Sequence, residues 1–241
     1  MLTQNYTFLY INNTLKPVCL PIKQEKLIAI DEQYQLAEKN IISFLENSIY
    51  LNMLLWGERG CGKSSLIKQL IIKYGEKGLR VVQFVEPNLN ELHDLYCKLY
   101  VERYKFILLF DDISFDSDDE KYRRFKSILE GGIFDQPENI MFVATSNRRH
   151  LIQERAIDTN DIYNRDDINE SVSLYSRFGL VIGFYPISKD DYLQITHHYL
   201  LKYNLPIYEG WEKDAENFAI NRGGRSGRVA KQFALFKKIY G

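Results

Sequence analysis

The run Gly57-Glu58-Arg59-Gly60-Cys61-Gly62-Lys63-Ser64 fits the pattern G-x-x-x-x-G-K-[ST]. It lies between an apolar run, Met53-Leu54-Leu55-Trp56, and a stretch of helical periodicity from Ser65 to Tyr74, so a P-loop stands in the strand–turn–helix setting it needs. Glycines are required because backbone N–H groups must close around phosphate oxygens, and a Cβ at those turns blocks the approach. On this reading Gly57 to Ser65 hold the phosphates and Lys63 reaches the β and γ groups. Ser64 opens the helix, where orphan N–H groups favour an anion, and its hydroxyl is a ligand for Mg²⁺.

A second apolar run, Phe106-Ile107-Leu108-Leu109-Phe110, ends in Asp111-Asp112 and reads as a buried parallel strand with two carboxylates at its C-terminal end. Alone, such a pair also serves as a turn or an N-cap. Behind a P-loop it reads as a Walker B pair. Asp111 then holds Mg²⁺ through water, and Asp112 orients and deprotonates the attacking water.

Strands alternate with helices along the first three quarters of the chain. Arg80 to Val85 is the second strand, Asn88 to about Arg103 a helix, Ile140 to Thr145 the fourth strand and Leu180 to Phe184 the fifth. Between them, Tyr122, Phe125, Ile128 and Leu129 mark one face of a helix ended by Gly131-Gly132. This order predicts a five-stranded parallel sheet flanked by helices. Residues 148–169 are polar without a clear period, as in a loop. Beyond Ser188 the strand signals stop, and Tyr192, Ile195, Tyr199, Leu200, Trp211, Phe218, Ile220, Val229, Phe233 and Phe236 recur at helical spacing, predicting a small all-helical unit.

At 241 residues, 45% hydrophobic and 26% charged, the chain can bury one good core and a modest second unit, and its net charge of −1 gives no overall pull toward nucleic acid or acidic lipid. No basic residue precedes Lys16 and no apolar run approaches a membrane span, so we expect a cytoplasmic protein that makes no use of the membrane. Cys19, Cys61 and Cys97 lie far apart without metal spacing, which fits a reducing compartment. The Cys61 thiol, inside the P-loop, is either activated by amides and Lys63 or an inert small side chain.

Three further motifs narrow the class. The fourth strand ends Thr145-Ser146-Asn147, placing an amide beside the Walker B aspartates, and it is followed by Arg148-Arg149-His150. Ser176-Arg177-Phe178-Gly179 precedes the fifth strand, and Arg225-Ser226-Gly227-Arg228-Val229-Ala230 opens the last helix. With these the chain resembles an AAA+ ATPase, Asn147 being similar to that superfamily's sensor 1, Arg177 to its arginine finger and Arg228 to its sensor 2. Together with Leu54-Leu55-Trp56-Gly57 and Asp111-Asp112-Ile113-Ser114-Phe115, they resemble the prokaryotic family called domain of unknown function 815, from about Ile30 to about Phe236.

The resemblance implies an N-terminal extension over 1–27, an AAA+ nucleotide-binding domain over 28–186 and a helical lid over 187–241. It implies ATP or ADP with Mg²⁺ as ligands, with Ile28 and Ile30 beside the base and Lys63, Asp112, Asn147, Arg177 and Arg228 as the catalytic set. It also implies ATP hydrolysis at an interface of a homo-oligomer, driving a conformational switch on a protein or nucleic-acid partner. Asp112 departs from the usual glutamate, and its shorter side chain implies slow turnover. A P-loop kinase of a small acceptor and a nucleotide-holding module with little turnover are the alternatives; a guanine-reading N-K-x-D motif is absent from the sequence. For a nucleic-acid partner the basic residues Lys121, Arg123, Arg124 and Lys126 read mainly as a solvated helix face, and Arg148-Arg149-His150 as a stronger patch near the nucleotide.

Overall fold

The computed structural model describes residues 2–19, 21–23, 25–85, 89–113, 123, 125–127, 129, 135–147 and 176–241, with the side chains of 89 and 90 left aside. Seven strands form one sheet: β1 (Thr7–Ile11), β2 (Thr14–Pro17), β3 (Met53–Gly57), β4 (Leu79–Phe84), β5 (Lys105–Phe110), β6 (Ile140–Ser146) and β7 (Leu180–Phe184). Their order across the sheet is β2-β1-β4-β5-β6-β3-β7, parallel throughout except for the β1–β2 hairpin.

The five-stranded expectation is therefore corrected. The first strand lies parallel to β4, pairing Phe8 with Val82 and Tyr10 with Phe84, and the second folds back on it. Asn12 and Asn13 both take left-handed backbone (φ 49° and 57°), as a two-residue hairpin loop demands. Phe8 and Tyr10 face inward at 1% exposure each, which is what attaches this extension to the sheet. Arg80 fastens it further: buried in β4, it donates to the carbonyls of Leu2 and Gly75 while its guanidinium stacks between Tyr6 and Tyr104.

Alternation along the strands divides the core. Even-numbered side chains such as Leu54, Val82, Leu108 and Phe142 pack against Leu92, Leu95 and Leu99 of α3 (Leu89–Tyr100) and against Phe125 and Phe178. Odd-numbered ones such as Met53, Val81, Ile107 and Val143 pack against α1 (Asp31–Asn47) and α2 (Lys63–Tyr74). Both faces being covered explains the nearly uninterrupted apolar runs of β5 and β6.

A separate apolar cluster joins α4 (Lys189–Lys202), α5 (Trp211–Asn221) and α6 (Gly227–Tyr240) through Tyr192, Leu200, Trp211, Ala215, Ala230 and Phe233. Ser188 and Ser226 cap α4 and α6, each hydroxyl accepting from a backbone N–H three residues on. Two residues read as part of this core are not in it: Ile220 and Phe236 are exposed. Small residues, Ala215 and Ala219, form the inner face of α5, so the helix approaches closely and turns Ile220 outward. Among the described residues no helix is long and apolar enough to cross a membrane.

Candidate nucleotide-binding site

Because β5, β6 and β3 are neighbours, the turns following them meet at one edge of the sheet. Gly57 ends β3 at φ 140°, and a Cβ there would come within 1.9 Å of the Phe184 carbonyl oxygen on β7, so only glycine lets the chain leave the sheet at this point. Gly62, at φ 107°, then forms the N-cap of α2. The first turn of α2 contains no acidic side chain and no side-chain cap, whereas α1 and α4 open with Asp31-Glu32 and Asp190-Asp191. The orphan N–H groups of α2 are thus left to an outside anion.

Lys63 folds back over the loop. Its ammonium donates to the carbonyls of Gly57 (2.5 Å) and Glu58 (2.9 Å) and to Asn147 Oδ1 (3.2 Å). Burial pulls its pKa below the ordinary lysine value, with Asp112 and Asp111 among the groups opposing that shift. Asn147 Nδ2 in turn donates to Asp112 Oδ1, and Arg59 lies 3.7 Å from Asp112 Oδ2. Asp112 itself has left-handed backbone, φ 55°, and its N–H donates to Thr145 Oγ1 at 2.8 Å. That hydroxyl donates to Asp111 Oδ1 at 2.7 Å, which also accepts from Ser64 Oγ at 3.4 Å. Sequence reasoning assigned Thr145 no role of its own. The signal was a β-branched hydroxyl ending an otherwise apolar strand, where it fixes both aspartates.

A cavity of about 570 Å³ runs from these groups toward the C-terminal helices. Ile28, Ile30, Arg59, Gly60, Cys61, Gly62, Lys63, Ser64, Ser65, Asp111, Asp112, Asn147 and Arg228 all line it. Gly57 and Glu58 contribute instead through the carbonyl oxygens that hold Lys63. Leu27, Ile28, Ile187 and Ile195 give part of the cavity wall an apolar lining, alongside Glu25, Lys26, Tyr199 and Lys231. The α6 terminus closes onto the loop, with Gly227 N–H donating to Gly60 O at 3.1 Å. A Cβ on Gly60 (φ 83°) would meet Ser226 Oγ at 2.9 Å and Arg228 Cβ at 3.1 Å, so this glycine is what admits the contact.

Also missed from sequence were Glu25, Tyr199 and Lys231. The Glu25 carboxylate accepts from Lys231 Nζ and from the Tyr199 hydroxyl (3.3 Å), and its backbone carbonyl accepts from Gln69 of α2. A single residue before α1 is thereby bonded to α2, α4 and α6, a long-range match with no local pattern. For Cys61, burial pushes the thiol up, Glu58 adds to the shift and Lys63 opposes it, which favours the inert alternative. Arg177 is exposed in the turn before β7 and does not line the cavity. Arg148, Arg149 and His150 lie outside the described residues, as do Lys121, Arg124 and the segment 151–175.

Hard oxygen donors from Ser64 and Asp111, brought together beside an open helix N-terminus, fit a Mg²⁺ ion carried with phosphate.

Solved structures share this architecture. Thermotoga maritima RuvB, a Holliday junction branch migration motor, matches 91% of the chain at 16% identity with a TM-score of 0.59; this chain spans 65% of it. The FIGL-1 AAA domain in complex with ADP matches 90% of the chain at 16% identity (TM-score 0.56, 73% of that chain), and the replication initiator DnaA bound to AMPPCP and single-stranded DNA matches 89% at 13% (TM-score 0.54, 63% of that chain). A mostly parallel sheet with a P-loop on its third strand and a helical unit over the loop is the fold of AAA+ P-loop ATPase domains. The chain belongs to the family described as Protein of unknown function (DUF815), which it matches over residues 3–239. No curated protein matches it.

Proposed function

We propose that this chain is an ATP-dependent AAA+ switch that binds ATP or ADP with Mg²⁺ and hydrolyses ATP slowly where two copies meet. The observation that carries this reading is the convergence of Lys63, Asp111, Asp112 and Asn147, from three adjacent strand ends, with Arg228 from α6 on one cavity. The α2 N–H groups and the Lys63 ammonium bind the phosphates, and Ser64 and Asp111 hold Mg²⁺, which when bound neutralises phosphate charge. Asp112 takes the proton of the attacking water and Asn147 keeps that water in place. The apolar side chains of Ile28 and Ile30 receive the base. Arg228 lies in α6 next to the Gly227–Gly60 contact, so phosphate charge is felt by the helical unit, proposed as residues 187–241, as well as by the 28–186 domain.

RuvB is a Holliday junction motor and the DnaA structure holds single-stranded DNA, which supports a macromolecular partner, nucleic acid among the classes; the homo-oligomer that works it is what the AAA+ resemblance implies. The kinase alternative has less behind it, since the arginine facing the cavity from above comes from a helical C-terminal unit and not from a lid loop.

Lys63→Ala tests the reading. Removing the ammonium takes away the charge-assisted contact proposed with phosphate, worth about 1.5–3 kcal/mol, so ADP affinity measured by calorimetry should fall roughly tenfold or more. Equal affinity in a folded variant would remove the nucleotide assignment.

A further inference from the structure

Arg59 occupies a position at which the P-loop pattern asks for no particular side chain. Although 73% exposed, it is directed at the Asp112 carboxylate, one oxygen of which it faces while Asn147 donates to the other. Asn147 also accepts from Lys63, so Lys63, Asn147, Asp112 and Arg59 form one continuous polar chain along the cavity wall. The backbone beneath Arg59 is fixed, because the next residue, Gly60, is bonded to Gly227 and backed by Ser226 and Arg228.

Resting on the nucleotide reading above, we propose that Arg59 distinguishes a triphosphate from a diphosphate. An exposed pair at 3.7 Å with a single carboxylate oxygen is a weak partner for a guanidinium. Phosphate oxygens suit its planar fork far better and carry more charge. A γ-phosphate beside Asn147 therefore takes Arg59 from Asp112 and leaves that carboxylate with one restraint, Asn147, in place of two. A diphosphate, held by the loop, the α2 terminus and Lys63, ends at its β-phosphate, stops short of Arg59 and leaves the Arg59–Asp112 pair intact.

The test is the affinity of the full chain for Mg²⁺·ADP and for a non-hydrolysable Mg²⁺·ATP analogue, measured by calorimetry in the parent, Arg59→Ala and Arg59→Lys proteins. Arg59→Ala should lose at least about tenfold more affinity for the analogue than for ADP, and Arg59→Lys, which keeps the charge without the fork, should fall between. Retained ADP binding is also the proof that the variant folds. Equal losses for both nucleotides, or no loss for either, would overturn the role of Arg59 and leave nucleotide binding standing. Failure of the parent protein to bind either nucleotide would instead overturn the reading on which it rests.

Discussion

An Arg177→Ala chain should bind ATP as the parent does yet hydrolyse it about 10³–10⁵ more slowly, the effect that a missing arginine finger produces. The distance of Arg177 from its own phosphate loop is what supports a target on another subunit. Strand β7 runs parallel to β3, pairing Leu180 with Met53 and Phe184 with Gly57, so Arg177 stands at the start of β7 while its own phosphate loop leaves the far end of β3. Roughly 13 Å of strand separates the two ends. Buried Phe178 pins the turn, and Gly179, against which a Cβ would come within 2.7 Å of Leu51, keeps it close to the domain surface, leaving Arg177 facing outward. Mixing Arg177→Ala with Lys63→Ala chains should restore hydrolysis, because some interfaces then pair an intact loop with an intact finger. A mixture that assembles and stays inactive, or an Arg177→Ala chain with normal turnover, would dispose of the shared site.

Asp112→Asn should retain ATP and lose turnover by about 10²–10⁴, the span that a general base contributes. The replacement suits the position: asparagine tolerates the left-handed backbone that Asp112 adopts, and the backbone N–H still reaches Thr145. Asp111→Asn should act differently, weakening the Mg²⁺ dependence of binding, since its carboxylate is the one shared with Ser64 and Thr145. Single-turnover phosphate release at several Mg²⁺ concentrations separates the two. Full release from Asp112→Asn would show that another group takes the proton.

What could be read from the sequence follows from where the information lies. The loop 57–64, the aspartates 111–112 and Asn147 announce themselves because each follows an apolar strand, and their chemistry fixes their spacing. The hairpin was passed over, although alternating Phe8 and Tyr10 and the Asn12-Asn13 pair between two short strands signal it; the strands are four and five residues long and their partner, β4, is some seventy positions away. Helical periodicity placed Ile220 and Phe236 in the core because it reports a face and not how closely the next helix approaches. The pairs Arg59–Asp112 and Glu25–Lys231 join residues 53 and 206 positions apart, so only the folded chain reveals them.

The Glu25 bonds add a pH-dependent part to the attachment of the C-terminal helices. Burial alone would raise the Glu25 pKa, but the hydrogen bonds from Lys231 and Tyr199 and the charges of Lys231 and Lys202 outweigh it and hold the carboxylate below its ordinary value. A carboxyl group lowered in this way stabilises the closed arrangement fully above the unfolded-state value, about pH 4.3, and ceases to do so as pH falls through the lower folded-state value. Lys231, raised by the same bond, keeps its charge throughout that range. Acid should therefore weaken the tie of α4 and α6 to the segment preceding α1, and Glu25→Gln should mimic that weakening at neutral pH, visible as faster amide exchange in α6 with the sheet amides unaffected. The segment before α1 thus ties three helices together through one carboxylate, and that tie is the part of their attachment that proton concentration can loosen.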